Sequence, residues 1–130
     1  MKVLYKVLIC GDRNWDDPDM VRNVITGLKS YADGLNQELL IISGGAEGAD
    51  KMAKRIGNEL DVHVAEVDAL WDTRHRSAGP QRNMIMLSLQ PDAVVAFHNN
   101  IEKSRGTAHT VRHAKKAGIP TQVVSTGEEK

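Results

Sequence analysis

Apolar residues along this chain fall into short blocks separated by longer stretches of mixed character. Five blocks stand out: residues 4–10 (LYKVLIC), 38–43 (ELLIIS), 62–67 (VHVAEV), 92–97 (DAVVAF) and 120–124 (PTQVV). They are rich in Val, Ile and Leu and bounded by Gly, Pro, Asp or Asn, which is the composition of β-strands. Four are nearly continuous in apolar character, as strands covered on both faces are. The block at 62–67 alternates instead, which predicts an edge strand.

Between the blocks the apolar period changes from two to between three and four. Val21, Val24, Ile25, Leu28, Tyr31, Ala32 and Leu35 mark one face of a helix. Asp17 is placed to cap its start, with Pro18 in the first helical position. Ala49, Met52, Ala53, Ile56 and Leu60 repeat the spacing. A third helix is expected to open at Pro80 and to carry Met84, Ile85, Leu87 and Leu89. A fourth runs from about Thr107 to Ala117, where Gly118 and Pro120 stop it.

Strand and helix alternate throughout, so right-handed crossovers should build a parallel sheet with helices on both faces: an α/β, Rossmann-like, three-layer domain. No internal repeat or linker interrupts it. The expected domain spans 1–124, and residues 125–130 (STGEEK) read as a disordered tail. One long connection, 68–79 (DALWDTRHRSAG), is of the kind that often covers a site.

Composition narrows the partners. Of 130 residues, 17 are Lys or Arg and 17 Asp or Glu, a formal charge of zero. That balance argues against nucleic acid or an anionic membrane as the main partner. Cys10 has no second cysteine to pair with. The first apolar block is broken by Lys6 and lacks a small-residue cleavage site, so it reads as a strand rather than a signal peptide. No apolar run reaches membrane-spanning length. A cytoplasmic location is expected.

The unusual segments fall after strands or at helix starts, on the rim where open parallel sheets bind ligands. GDRNW (11–15) follows the first strand and SGGAEGAD (43–50) the second, while AGPQRN (78–83) and SRGTAH (104–109) open helices. The glycine segment lacks the G-K-[ST] of a Walker loop and the spacing of the dinucleotide fingerprint. Its glycines permit close approach, and free N–H groups at a helix start favour an anion such as phosphate; a tight turn alone would also use them. Asp50 suits a ribose, loop amides or a capping role. Arg82, expected in the first turn of a helix where a cation opposes the dipole, is a phosphate or carboxylate fork or a surface ion pair. Arg13 raises the same choice, with Asn14 as polar partner and Trp15 as a stacking face or a core aromatic. Cys10 reads as an inert core thiol. His109 and His113, four apart, lack a carboxylate or cysteine that would make them a zinc site, and no metal is expected.

Taken in order, ICGDRNW, IISGGAEGAD, AGPQRN and RGTAHTV resemble the YspA-like, cpYpsA-related branch of the SLOG (SMF/DprA-LOG) superfamily, known from bacteria and phages. The similarity covers residues 7–124. It implies a sheet of order 3-2-1-4-5 and a pocket for a nucleotide or nucleotide derivative, with no other cofactor required. Mapped onto matching positions, the lining is Gly11, Arg13, Ser43, Gly44, Gly45, Gly48, Asp50, Arg82, Asn83, Gly106 and Thr107. The superfamily includes nucleotide sensors, enzymes that cleave a nucleotide N-glycosidic bond, and proteins that handle single-stranded DNA. This chain has His109 and Thr110 where the cleaving enzymes carry acidic residues, which favours binding over catalysis. Catalytic residues are therefore left unassigned. A homodimer formed through an outer helix is a further expectation from the resemblance.

Overall fold

A computed structural model describes residues 2–45, 47–67, 78–104 and 106–126. In chain order they form β1 (Leu4–Gly11), α1 (Pro18–Gly34), β2 (Glu38–Gly44), α2 (Ala49–Glu59), β3 (His63–Val67), α3 (Ala78–Ser88), β4 (Ala93–Phe97), a 3-10 turn (Ile101–Lys103), α4 (Gly106–Lys116) and β5 (Thr121–Val124). The five strands make one sheet of order β3-β2-β1-β4-β5, every neighbouring pair parallel.

This order fixes which helices share a face. From β1 through β2 to β3 the chain moves one way across the sheet, and right-handed crossovers put α1 and α2 on one side. It then jumps back to β4 and continues to β5 in the opposite direction, so α3 and α4 lie on the other side. The core divides accordingly. Val7, Ile9 and Ile41 point towards Val21, Ile25, Ala53 and Ile56, whereas Leu8, Cys10 and Ile42 meet Met86, Val111 and Ala114. Alternate residues of β1 thus fill opposite cores, which is why its apolar run is continuous. Each fully buried Leu or Ile contributes about 1.5–3 kcal/mol.

Local chemistry sets the ends of the elements. Asp17 Oδ1 accepts from the Met20 N–H at 3.1 Å, with Pro18 at the first helical position, as the sequence predicts. Both β3 and β5 are edges. The alternation of 62–67 foretells the first. The second departs from expectation: Val123 is exposed, and β5 is not covered on both faces. Helix α3 departs twice. It begins at Ala78, two residues before Pro80, because proline is tolerated anywhere in a first turn whose N–H groups lack partners. Arg82 is therefore its fifth residue and lies beyond the first turn. Its core contacts are Met86 and the partly buried Leu87, while Met84, Ile85 and, just past its end, Leu89 are exposed. The run Met84–Leu87 is apolar without a break, so it carries no period that selects its buried side. Tyr31 of α1 and Leu35, which caps its end, are likewise exposed.

The long connection at 68–77 and the end of the tail at 127–130 lie outside the described residues. Thr126 is held to the body of the domain by Asn99 Oδ1, which accepts from its N–H at 2.8 Å.

Candidate functional site

Sheet order reverses between β1 and β4. The chain leaves one strand towards α1 and the other towards α4, opening a crevice between them. Gly11 lies opposite Phe97 in the register, and the Asp12 N–H donates to the Phe97 carbonyl at 2.8 Å. A Cβ on Gly11 would overlap that carbonyl and stand 2.9 Å from the Ala49 methyl, so only glycine lets the two exits lie this close. Beyond it, Asp12 Oδ1 accepts from the Asn14 N–H at 2.9 Å and its carbonyl from the Trp15 N–H at 3.0 Å. Trp15 turns inward. Its ring packs on Phe97 with centroids 5.4 Å apart and its Nε1–H donates to the Asp17 carbonyl, so it is a core aromatic.

The glycine segment after β2 is shaped by the chain's own close approaches. Gly48 has φ +77°, and a Cβ there would collide with the carbonyls of Asp12 and Arg13. Next to it, the Ala49 N–H donates to the Asp12 carbonyl at 3.2 Å. A Cβ on Gly44 would come within 2.8 Å of both Arg82 Nε and Asp50 Oδ2, so this glycine gives two charged side chains room across the strand end. Ser43 is fully buried, its hydroxyl within reach of the carbonyls of Gly44 (3.1 Å) and Asp50 (3.2 Å). Its single proton ties the two ends of the loop together.

A cleft of about 750 Å³ occupies the crevice. Cys10, Gly11, Asp12, Arg13 and Asn14 line it from the β1 exit, Asp50 from α2, and Arg82, Asn83 and Met86 from α3. His98, Lys103 and Ser104 follow β4, and Gly106, Thr107, His109 and Thr110 come from α4. Among the residues expected from sequence, Gly11, Arg13, Asp50, Arg82, Asn83, Gly106 and Thr107 meet here. Ser43, Gly44, Gly45 and Gly48 do not line it; Gly48 borders a separate groove with Glu47, Lys51 and Arg55. Sequence reasoning missed Asp12, His98, Lys103, Ser104, His109 and Thr110 as lining residues, and gave Asn14 only as a polar partner of Arg13. Their one signal is position, just beyond a strand end or within the opening turns of a helix.

The lining joins cations to a braced frame. Arg13, Arg82 and Lys103 face the space together with Asp12 and Asp50. Arg82 Nε is buried and has no hydrogen-bond partner, an uncommon state for such a nitrogen. Asn83 is buried and its Nδ2 reaches the Gly106 carbonyl at 3.5 Å, linking α3 to α4. Ser104 Oγ accepts from the Thr107 N–H at 3.0 Å and caps α4, while Thr110 Oγ1 donates back to the Gly106 carbonyl at 3.1 Å. Burial pushes the Cys10 thiol well above its ordinary range; Asp50 adds to that shift and Arg82 opposes it. Such a thiol is a poor nucleophile. The rings of His109 and His113 lie 4.2 Å apart, and among the described residues no three His, Cys, Asp or Glu side chains group as metal ligands.

Comparison with known proteins places this geometry among relatives. Residues 5–75 match the YspA, cpYpsA-related SLOG family. The Gene 61 protein of Mycobacterium phage D29 is 33% identical over 134 residues, covering 95% of this chain and 98% of the phage protein. The X-ray structure of DNA processing protein A (DprA) from Streptococcus pneumoniae superimposes with a TM-score of 0.73 at 20% identity. That match covers 92% of this chain and 50% of the DprA chain, so the present fold corresponds to about half of that protein.

Proposed function

The chain belongs to the YspA, cpYpsA-related SLOG family, and from that premise we propose that it binds a nucleotide or nucleotide derivative in the crevice between β1 and β4, as a sensor or sequestering domain. Family membership supports the coarser statement, a role related to nucleotides or nucleic acids. The finer one rests chiefly on Arg82, whose buried Nε lacks a partner inside a cleft that also holds Arg13 and Lys103. A buried guanidinium nitrogen left unmatched is costly, and a phosphate oxygen would satisfy it with a charge-assisted bond. The volume of about 750 Å³ lies within the ordinary range for small-molecule sites. Arg13 and Lys103 would share the phosphate charge, and Asp50 would orient a ribose or the loop.

A nucleotide that binds the folded chain raises its melting temperature. AMP, ADP-ribose, NAD and a cyclic nucleotide form a suitable panel. At least one is expected to do so, and Arg82→Ala should weaken its binding roughly ten- to a hundredfold, the equivalent of about 1.5–3 kcal/mol for hydrogen bonds to a charged group. No shift from any of them, with Arg82→Ala folded and indistinguishable from the parent, would remove the reading.

Cleavage of an N-glycosidic bond is the less favoured reading. Asp12 and Asp50 are the carboxylates lining the cleft among the described residues, and Asp12 Oδ1 already accepts from the Asn14 N–H. Incubation with AMP or CMP should release no free base. Single-strand binding is disfavoured by the ion pairs on α2. Lys51 meets Glu47 at 2.6 Å, Lys54 meets Glu66 at 3.3 Å and Arg55 meets Glu59 at 3.9 Å, so those cations do not form an unopposed stripe.

A further inference from the structure

The loop after β4 holds an imidazole in a defined orientation. The His98 backbone N–H donates to the Val124 carbonyl at 2.9 Å, and Asn99 Oδ1 accepts from both the N–H and the hydroxyl of Thr126. One residue on, the Asn100 N–H points at the His98 ring and donates to Nδ1 at 2.9 Å. A ring nitrogen accepts a hydrogen bond only when it carries no proton. The bond therefore selects the neutral tautomer that bears its proton on Nε2. Among the described residues no protein group receives that Nε2–H, and His98 lines the cleft. Because Phe97 pairs with Gly11, His98 stands beside the Asp12–Arg13 turn, across the point where strand order reverses.

From this arrangement we infer that His98 is a ligand-binding residue, presenting Nε2–H as a neutral hydrogen-bond donor to a phosphate oxygen of the bound nucleotide. The inference rests on the nucleotide reading of the same cleft and adds a contact to it. A neutral donor does something there that another cation would not. Arg13, Arg82 and Lys103 already crowd the space with like charge, whereas an uncharged N–H gives direction without more repulsion. The Asn100 bond also makes the donor preorganised, since the ring need not choose a tautomer or rotate when ligand arrives.

Two measurements on the full chain test this. Long-range ¹H–¹⁵N spectra of the free protein should show the His98 imidazole protonated at Nε2 and bare at Nδ1; the opposite tautomer overturns the assignment. Calorimetric titration with AMP then compares two variants. In His98→Asn the amide oxygen can still accept from the Asn100 N–H but no donor reaches the ε position, and affinity should fall about tenfold. In His98→Gln the amide nitrogen extends to that position, and affinity should stay within about threefold of the parent. Equal affinities for all three chains, or equal losses in both variants, would refute a donor role. Failure of the parent chain to bind any nucleotide of the panel would instead count against the nucleotide reading, and would remove the phosphate contact with it.

Discussion

Arg82 and Cys10 lie near each other in the cleft and carry opposite chemical consequences. The guanidinium extends past Gly44 to where its Nε meets no partner, so what it offers a ligand is a fork, not only a charge. Arg82→Lys should therefore lose most of the affinity that Arg82→Ala loses, read by calorimetry against the same nucleotide; full retention would mean that charge alone matters. Cys10 is buried and its thiol is pushed up by desolvation, so little thiolate exists near neutral pH. Iodoacetamide should leave the native thiol unmodified from pH 7 to 9 and label it readily once the chain is unfolded in denaturant, as mass spectrometry would show. Asn83 came from the family resemblance, whereas Arg13 and Arg82 were legible in the sequence as candidates because loops after strands and helix starts are where such folds place their chemistry. His98 was not, since its orientation comes from one backbone N–H two residues on, which no spacing encodes.

At the scale of elements, three glycines separate conformational from steric causes. Gly27 sits in α1 with nothing within 4 Å of where a Cβ would be. Gly27→Ala should stabilise the domain by about 0.5–1 kcal/mol, seen as a melting temperature a few degrees higher. Gly57 in α2 has the same propensity to gain, yet a Cβ there would press on Val64 Cγ2 at 2.8 Å and Ile41 Cδ1 at 3.2 Å. Overpacking costs about 1–3 kcal/mol against a propensity gain of about 1, so Gly57→Ala should be neutral to destabilising. Gly48→Ala meets both an unfavourable φ and a collision with the Asp12 and Arg13 carbonyls, and should lose about 2–3 kcal/mol in denaturant melts. A stable Gly48→Ala would show that the loop is not wedged against the β1 exit. The sequence marks the loop at 43–50 as glycine-rich but does not say what approaches it. Contacts between segments far apart in the chain decide that. For the same reason α3 hid its buried side, since the unbroken apolar run Met84–Leu87 has no period until the sheet selects Met86.

For the molecule as a whole, alternation of strands and helices made the layer architecture readable, while the 3-2-1-4-5 order came from family resemblance. That order matters because it puts the reversal between β1 and β4, where α1 and α4 diverge and a cleft must open. Overall charge neutrality does not oppose anion binding there, since among the described residues Arg13, Arg82 and Lys103 gather at one rim against Asp12 and Asp50. The most direct test is an amide ¹H–¹⁵N titration with AMP, ADP-ribose, NAD and a cyclic nucleotide in turn. A nucleotide that binds is predicted to shift the signals of Gly11–Asn14, His98 and Gly106–Thr107 together, leaving those of Lys54, Arg55 and Asn58 on the outer side of α2 in place. Shifts centred on α2 instead, or none with any of the four, would contradict a nucleotide site at the strand reversal.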